Sequence, residues 1–273
     1  MNPLKLMPAL GLLLLCQRLS AQHMANLNSG DTTCIFGDKV NVRTQPEANA
    51  QVAFQLSAGE PVILLEELKA MYRVADVEMP WCQIRTFDGR KGYVWGGMLS
   101  LWGIKQDGAV CFAAGFAGEQ PQCEVRAIRN GTIISKVSTT IPVGEGGVNG
   151  GKIIPGAKGL VGYRDLLVLN AGLEACGYLQ MAWYILWNGQ NLVSLPLCKS
   201  IFDGGNYYEE SYLFPDDMAN QQMNSDDPTR IYYQVSTGEE EEFSDESGWE
   251  TSTSIKVHLL RWDGKKYVKP KEE

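Results

Sequence analysis

The chain has little histidine, no excess of basic residues and, after its first 21 residues, no long apolar run. Its 273 residues include only two histidines, His23 and His258, so the usual proton acceptor of Ser–His–Asp and Cys–His mechanisms is scarce. The formal net charge of -8 argues against a nucleic-acid partner, because an acidic chain repels phosphate backbones. The sequence therefore predicts a non-catalytic protein without a cofactor, and one that does not bind nucleic acid.

The first 21 residues are typical of a secretory signal peptide. Lys5 supplies a positive start, and Leu6–Cys16 is an apolar run too short for a membrane span, which needs about 20 residues. Cleavage after Ala21 removes Lys5 and Arg18, which changes the formal charge from -8 to -10. The alternative is a lipoprotein acylated at Cys16, although a bulky leucine precedes it where the bacterial lipobox has a small residue. We expect an exported chain, periplasmic or extracellular, with no transmembrane segment in its mature form.

Six cysteines remain after cleavage, an even number that favours disulfides in an exported protein. They are Cys34, Cys82, Cys111, Cys123, Cys176 and Cys198. Pairing between nearest neighbours along the chain predicts the bonds Cys34–Cys82, Cys111–Cys123 and Cys176–Cys198. The alternative is a set of small buried thiols in strands. Zinc binding is disfavoured, since no Cys-x2-Cys pair is present.

The pattern of apolar residues predicts an all-β chain. Residues 22–33 are small and polar and are expected to form a flexible lead. From Cys34 onwards, short runs alternate apolar and polar side chains, as in Val40–Arg43 and Trp81–Thr86, which is the period of a half-buried strand. Asp88-Gly89 predicts a tight hairpin, because glycine tolerates the positive φ that such a turn needs.

Three motifs follow one another between residues 40 and 99. They are the strand opening Asn41–Pro46, the turn Leu56–Gly59 and the closing strand Gly92–Val94. In this order they resemble the bacterial SH3-like (SH3b) domain, which opens with Asn-Val-Arg, turns at Leu-x-x-Gly and closes with Gly-aromatic-Val. The resemblance implies a small barrel at residues 34–102 that is used for binding.

One segment departs from the usual pattern of that family. Between its central strand and the following tryptophan the family has a short turn, whereas Glu66–Pro80 is longer here. Leu68, Met71 and Tyr72 favour a helical turn within this segment. A ligand groove bordered by the loop is therefore expected to be reshaped.

Residues 103–273 also lack helical periodicity and are predicted to form an open antiparallel β-domain. Three segments look like copies of one hairpin, and they are Arg126–Gly131, Tyr184–Gly189 and Leu259–Gly264. Such hairpins are similar to blades of secreted bacterial β-propeller-like proteins, and a repeated unit buries one face on its neighbour. The alternative is three ordinary hairpins that share common turn chemistry.

Aromatic residues are the main candidates for ligand binding. Tyr72, Trp81, Tyr93 and Trp95 lie in the SH3-like segment, and SH3-type barrels bind extended peptides along aromatic grooves. We expect Tyr72 and Trp95 to be exposed and Trp81 to be buried. Trp183 and Trp187 share one face of a predicted strand and are expected in the core.

Acidic residues offer two weaker sites. Asp216, Asp217, Asp226 and Asp227 have the oxygen ligands that calcium prefers, but they lack the spacing of a known calcium loop. These pairs and Glu239–Glu242 are also the carboxylates that a glycosidase would need. Solvated polar loops explain both groups equally well.

These observations predict a small SH3-like barrel followed by an antiparallel hairpin-repeat β-domain. The predicted function is that of an exported, non-catalytic binding protein of the bacterial cell envelope, whose partner is a cell-wall peptide or an envelope protein. One alternative is an assembly role in which the barrel docks on its own carboxy-terminal domain. The other is a glycan-active enzyme that uses acidic residues.

Overall fold

The computed structural model of the chain describes residues 27–102, 105–107, 110–117, 122–141, 148–172, 177–204, 206–220, 227–241, 250–263 and 265–270. Nearly all of the regular structure in this part is β-strand, and every strand pairing is antiparallel. The prediction of an all-β fold is confirmed.

The first sheet has six strands, and it spans the segment where the three motifs lie. Its strands are β1 (Thr32–Cys34), β2 (Val40–Arg43), β3 (Val52–Leu56), β4 (Pro61–Val74), β5 (Val77–Thr86) and β6 (Lys91–Trp95), in the order β1-β4-β5-β6-β2-β3. Val40 and Val42 are buried while Asn41 and Arg43 are partly exposed, as the alternation predicts. The turn at Asp88-Gly89 joins β5 to β6, and Gly89 adopts a φ of +90°.

The hairpin of β4 and β5 is longer than expected and replaces the predicted helical turn over Glu66–Pro80. Its two-residue tip places Ala75 at a φ of +51°, with Val74 opposite Val77. The ladder is irregular between Glu67 and Met71, and Met71 lies opposite Pro80. Proline has no amide hydrogen to donate, so a bulge in the facing strand is the expected result. Strand pairing satisfies the backbone here, which overrides the local helical preference.

Part of the predicted flexible lead is ordered. Thr32 and Thr33 belong to β1 and pair with β4, and the amide of Gly30 donates to the carbonyl of Leu64 at 2.8 Å. Leu27 packs against the main core. Residues 22–26 and the predicted signal peptide lie outside the described residues.

Two further sheets follow. The second consists of β7 (Lys105–Asp107), β8 (Val110–Ala117), β9 (Gln122–Arg129) and β10 (Thr132–Thr139), in the order β10-β9-β8-β7. The third contains β11 (Val148–Pro155), β12 (Asp165–Ala171), β13 (Gln180–Trp187), β14 (Leu192–Ser194), β15 (Cys198–Asp203), β16 (Asn206–Leu213), β17 (Tyr232–Glu241) and β18 (Glu250–Leu259). Its order is β11-β12-β13-β15-β16-β17-β18, and β14 also pairs with β13. A short helix, α1 (Pro215–Asn220), follows β16, and β19 (Arg261–Trp262) pairs with β20 (Tyr267–Val268).

The first two hairpin segments differ in their turns and lie in different sheets. The first turn is a two-residue hairpin in which Asn130 and Gly131 both have positive φ. At the second turn the Asn188 side chain accepts from the amides of Gln190 and Asn191 instead. The first hairpin lies in the second sheet and the next lies inside the third, so they share turn residues without sharing a role.

The main core is continuous through all three sheets. Val42 of the first sheet, Phe112 of the second and Trp187 of the third belong to one cluster of buried side chains. The rings of Phe112 and Trp187 meet edge to face at 5.4 Å. Trp183 and Trp187 are fully buried, as expected. No helix in the described part of the chain is long and apolar enough to cross a membrane.

The nearest-neighbour disulfide pairing is wrong for the cysteines that the structure describes. Cys34 lies opposite Pro61 and Cys82 opposite Glu67, so roughly 20 Å of strand β4 separates them. Cys111 and Cys123 face Ile128 and Phe116, at opposite ends of one hairpin. Cysteines that follow one another along the chain lie on distant parts of the sheet, because the strands between them are long. The described cysteines, Cys34, Cys82, Cys111, Cys123 and Cys198, are buried free thiols, as the alternative interpretation proposed, and Cys176 lies outside the described residues.

Candidate functional site

The strands β5 and β6 place three of the four predicted aromatic residues on one face. Cross-strand pairing sets Trp81 opposite Trp95, and Gln83 opposite Tyr93. The intervening residues Cys82 and Val94 are fully buried and point into the core, so the aromatic side chains lie on the other face.

The long hairpin adds Tyr72 to this face. The ring of Tyr72 lies 5.9 Å from that of Trp81, tilted by 45°. The indole Nε1 of Trp95 donates a hydrogen bond of 2.8 Å to the Tyr72 carbonyl oxygen. The long hairpin of β4 and β5 therefore completes the group, which we call the aromatic patch (Tyr72, Trp81, Tyr93 and Trp95).

Gly97 allows the Trp95 ring to lie flat along the chain. A Cβ atom at position 97 would come within 2.4 Å of two carbon atoms of this ring. Any other residue would displace the indole, which is also fixed by its hydrogen bond to Tyr72. The orientation of the Trp95 ring is thus fixed by its packing on Gly97 and by this hydrogen bond.

The four aromatic side chains differ in their solvent exposure. The exposures of Tyr72 and Trp81 agree with the prediction from the sequence. Tyr72 is 39% exposed, whereas Trp81 is 5% exposed beneath its neighbours. Trp95 and Tyr93 are half-buried. The Tyr93 hydroxyl accepts a hydrogen bond of 3.3 Å from the Gln83 amide. Tyr72 is therefore the most exposed ring of the patch, whereas Trp95, expected to be exposed, is half-buried, and Trp81 lies beneath its neighbours.

Two basic residues continue the same face beyond the aromatic rings. Arg85 and Lys91 pair across β5 and β6 and lie two residues from Gln83 and Tyr93, so all four share a face. Both are exposed, and neither forms an ion pair within the described residues. The face therefore changes from aromatic to cationic along the strands. We did not predict a role for these two residues from the sequence. The alternation of side chains along β5 and β6, which were both predicted as strands, nevertheless places them on this face.

The acidic candidates that the structure describes are not brought together into a site. Asp217 accepts from Lys158 Nζ at 2.8 Å and from the Phe214 amide, next to α1. Asp227 accepts from the Thr229 amide and pairs with Arg230 at 2.7 Å. No group of three His, Cys, Asp or Glu side chains able to hold a metal occurs in the part of the chain described.

Asp216, which completes the first carboxylate pair, lies in the first turn of α1, and Asp226 lies outside the described residues. Glu239 is an exposed residue of β17, and Glu242 lies outside the described residues. His258 is exposed in β18 and lies opposite Tyr233.

A second concavity, of about 290 Å³, lies on the third sheet. Its carboxylates include Glu210, whose side chain is already engaged by the hydroxyls of Tyr208 and Tyr233 and by Lys269. Burial by itself raises the pKa of Glu210, but the hydrogen bonds from Lys269, Tyr233 and Tyr208 outweigh it and hold the pKa below its ordinary value. A carboxylate fixed and ionised in this way is suited to structure rather than to proton transfer.

One segment of the chain contains the three motifs, the six-stranded sheet and the aromatic face. Comparison with known protein families shows which family this segment resembles. Residues 38–100 match the bacterial SH3 domain family. The resemblance predicted at residues 34–102 is confirmed with slightly narrower bounds. Bacterial SH3 domains are typically binding modules and not catalytic ones. No curated protein and no solved structure is similar enough to the chain to count as a match.

The bacterial SH3 domain covers β2 to β6 and stops before the second sheet. It includes all four rings of the aromatic patch together with Arg85 and Lys91. The aromatic patch and these two cations thus lie wholly within the part of the chain that matches the family.

Proposed function

We propose that the chain is an exported, non-catalytic binding protein of the bacterial cell envelope. In this proposal, the bacterial SH3 domain recognises an extended peptide or cell-wall component that carries a carboxylate. The proposal is based on one observation. The aromatic patch lies next to Arg85 and Lys91 on a single face of the sheet. The apolar signal-like start of the chain supports export, and the family supports a role in binding.

The two parts of this face have different tasks. The rings of Tyr72 and Trp95 offer broad contact to an extended chain at low entropic cost, since each has two side-chain torsions. The unpaired cations Arg85 and Lys91 are placed to bind the carboxylate and so to fix the direction of the ligand. Because both cations are exposed, this electrostatic contribution is expected to weaken as salt is added.

The first experiment is a titration of the full chain with a carboxylate-bearing cell-wall stem peptide, followed by calorimetry. We expect Tyr72→Ala to weaken binding about tenfold or more, as for a central aromatic contact worth about 1.4 kcal/mol. Tyr178→Ala is the matched control, because Tyr178 is 51% exposed and lies in the segment just before β13 of the third sheet. Equal affinity of the Tyr72 variant and the parent would remove the aromatic patch as the binding surface.

A second experiment isolates the cationic end of the face. Lys91→Ala is expected to weaken binding of the stem peptide severalfold and to leave binding of its carboxamide analogue unchanged. Lys69→Ala is the control, since Lys69 is an exposed residue of β4 outside the row formed by Arg85 and Lys91. If Lys91→Ala weakened both ligands equally, the proposed contact with the carboxylate would be lost.

The assembly role also has an observation in its favour. The first sheet packs against the second sheet through Phe36, just before the bacterial SH3 domain begins, and this ring lies over Gly115 and under the Arg126 guanidinium at 3.9 Å. This contact uses the end of β1 and the segment after it, whereas the aromatic patch lies on β4, β5 and β6. Docking and ligand binding therefore use different surfaces, and one does not replace the other.

A further inference from the structure

Cys34 and Cys111 are the only described cysteines whose sulfur atoms meet. Cys34 ends β1 and Cys111 lies at the start of β8, yet their Sγ atoms are 3.5 Å apart. Both side chains are buried, with exposures of 0% and 6%. Each comes from a different sheet, so the pair spans the junction between the strand that borders the bacterial SH3 domain and the next sheet.

Hydrogen bonds through Ser100 and Leu101 connect the backbone at Cys34 to Ala114 of β8. The Ser100 amide donates to the Cys34 carbonyl at 2.9 Å. The Ser100 hydroxyl oxygen accepts from the Ala114 amide at 3.1 Å, and the Leu101 amide donates to the Ala114 carbonyl at 2.8 Å. Ser100 therefore ties β1 to β8 directly beside the two sulfur atoms.

Small residues lie on part of the surroundings of the pair. Cys34 and Cys111 share a buried cluster with Ala58 and Ala113, and also with the larger Phe36 and Ile128. A Cβ at Gly59 would lie 3.6 Å from the Cys111 Cβ and 2.9 Å from a methyl carbon of Ile128, and Gly59 has a φ of +76°. Closure from 3.5 Å to the length of a disulfide, about 2.05 Å, requires a combined movement of roughly 1.5 Å by two side chains among small neighbours.

The chemistry of this pair also differs from that of the other thiols. Burial raises the pKa of Cys82, Cys123 and Cys198 to about 12, which leaves them protonated and inert. The hydrogen bond between the two thiols lowers the pKa of Cys111, while the pKa of Cys34 itself is raised. Cys111 is therefore the thiol of the two that reaches the nucleophilic thiolate form first.

We propose that Cys34 and Cys111 are a redox-active pair that closes to a disulfide and covalently fixes β1 of the first sheet to the second sheet. The oxidant is a disulfide compound such as oxidised glutathione. The Cys111 thiolate attacks one of its sulfurs, which forms a mixed disulfide and expels one glutathione thiolate. Cys34 then loses its proton and attacks the Cys111 sulfur, which expels the second glutathione. The two protein thiols lose two electrons and two protons in all, and the small disulfide is reduced to two thiols.

The test begins with the folded full chain, reduced and then equilibrated in a glutathione buffer as oxidising as that of a secretory compartment. Remaining thiols are alkylated during denaturation, and the peptides are mapped by mass spectrometry. The expected result is a peptide that links Cys34 to Cys111, with Cys82, Cys123 and Cys198 alkylated. Full alkylation of Cys34 and Cys111, or a link from either one to another cysteine, would overturn the proposal.

Stability provides a second readout. The bond closes a long loop, so oxidation is expected to raise the midpoint of thermal unfolding by on the order of 10 °C. Cys111→Ser should abolish both the link and the effect of oxidation on the midpoint, whereas Cys198→Ser, at another buried thiol, should retain both. A midpoint that does not differ between oxidised and reduced parent protein would contradict the proposal, and peptide mapping of the parent decides the question even where a variant fails to fold.

Discussion

At the scale of single residues, Glu210 is a buried carboxylate whose charge is fully compensated. Besides the Tyr208 hydroxyl and the Lys199 amide, it accepts from Tyr233 at 2.5 Å and from Lys269 at 2.6 Å. We expect Glu210→Gln to lower the free energy of unfolding by about 2–3 kcal/mol at neutral pH, because the amide cannot neutralise Lys269 and presents its own donors to it. Glu209→Gln, at the exposed neighbouring position, should change it by less than about 0.5 kcal/mol.

The pH dependence of the free energy of unfolding, compared between the parent and Glu210→Gln, gives a separate test. Because the pKa of Glu210 is lowered in the folded chain, its stabilising effect is present above the ordinary glutamate pKa of about 4.3 and is lost as the pH falls through the lowered value. The difference in stability between the parent and Glu210→Gln should therefore shrink below about pH 4. Urea unfolding at several pH values measures it, and a difference that stays constant down to pH 2 would contradict the role assigned to the carboxylate.

At the scale of elements, the tip of the β4–β5 hairpin stores backbone strain. Ala75 has a φ of +51°, a conformation that costs a residue with a Cβ about 1 kcal/mol. We expect Ala75→Gly to raise the free energy of unfolding by about 0.5–1 kcal/mol, whereas Ala70→Gly, in an exposed stretch of β4, should lower it by a similar amount. Denaturant unfolding measures both, and changes of the same sign would show that the tip is not strained.

The sequence predicts the elements of this hairpin better than it predicts their connection. Alternation in Trp81–Thr86 and the glycine at position 89 are local signals, so the strands and the turn between β5 and β6 could be predicted. The extension over Glu66–Pro80 could not, because Leu68 and Met71 fit a helical turn equally well until strand pairing decides. The Tyr72–Trp81 contact depends on that extension, so the complete aromatic patch is visible only in three dimensions.

The cysteines show the same limit across longer distances. Their number and burial follow from the sequence, but the meeting of Cys34 with Cys111 depends on how β1 and β8 are placed by Ser100. Distance along the chain carries little information about this contact, because it joins two sheets. Period-two alternation predicts which face a residue occupies, and it does not predict which sheet that face will meet.

At the scale of the whole molecule, the bacterial SH3 domain is built into a larger core. Phe36, Leu101 and Trp102 are each less than 10% exposed, and a Cβ at Gly151 would lie 2.1 Å from the Trp102 indole nitrogen. Burial of three such side chains stabilises the chain by roughly 5–9 kcal/mol, an upper estimate that is large beside the 5–15 kcal/mol typical of a folded protein. The domain boundary near residue 102 therefore crosses contacts that the fold needs.

This arrangement predicts the behaviour of an excised fragment. We expect residues 27–102 alone to unfold at a lower temperature than the full chain and to bind a hydrophobic dye, because Phe36 and Trp102 lose their cover. The substitution Phe36→Ser tests whether the loss of contacts around Phe36 is the cause. It should destabilise the full chain by about 3–5 kcal/mol, as for other large core side chains. It should leave the stability of the fragment nearly unchanged. Circular dichroism melting curves of the four proteins supply the comparison. The opposite result would be a fragment that is as stable as the full chain and equally sensitive to the substitution. It would mean that the bacterial SH3 domain folds independently and that contacts with the second sheet add nothing to its stability.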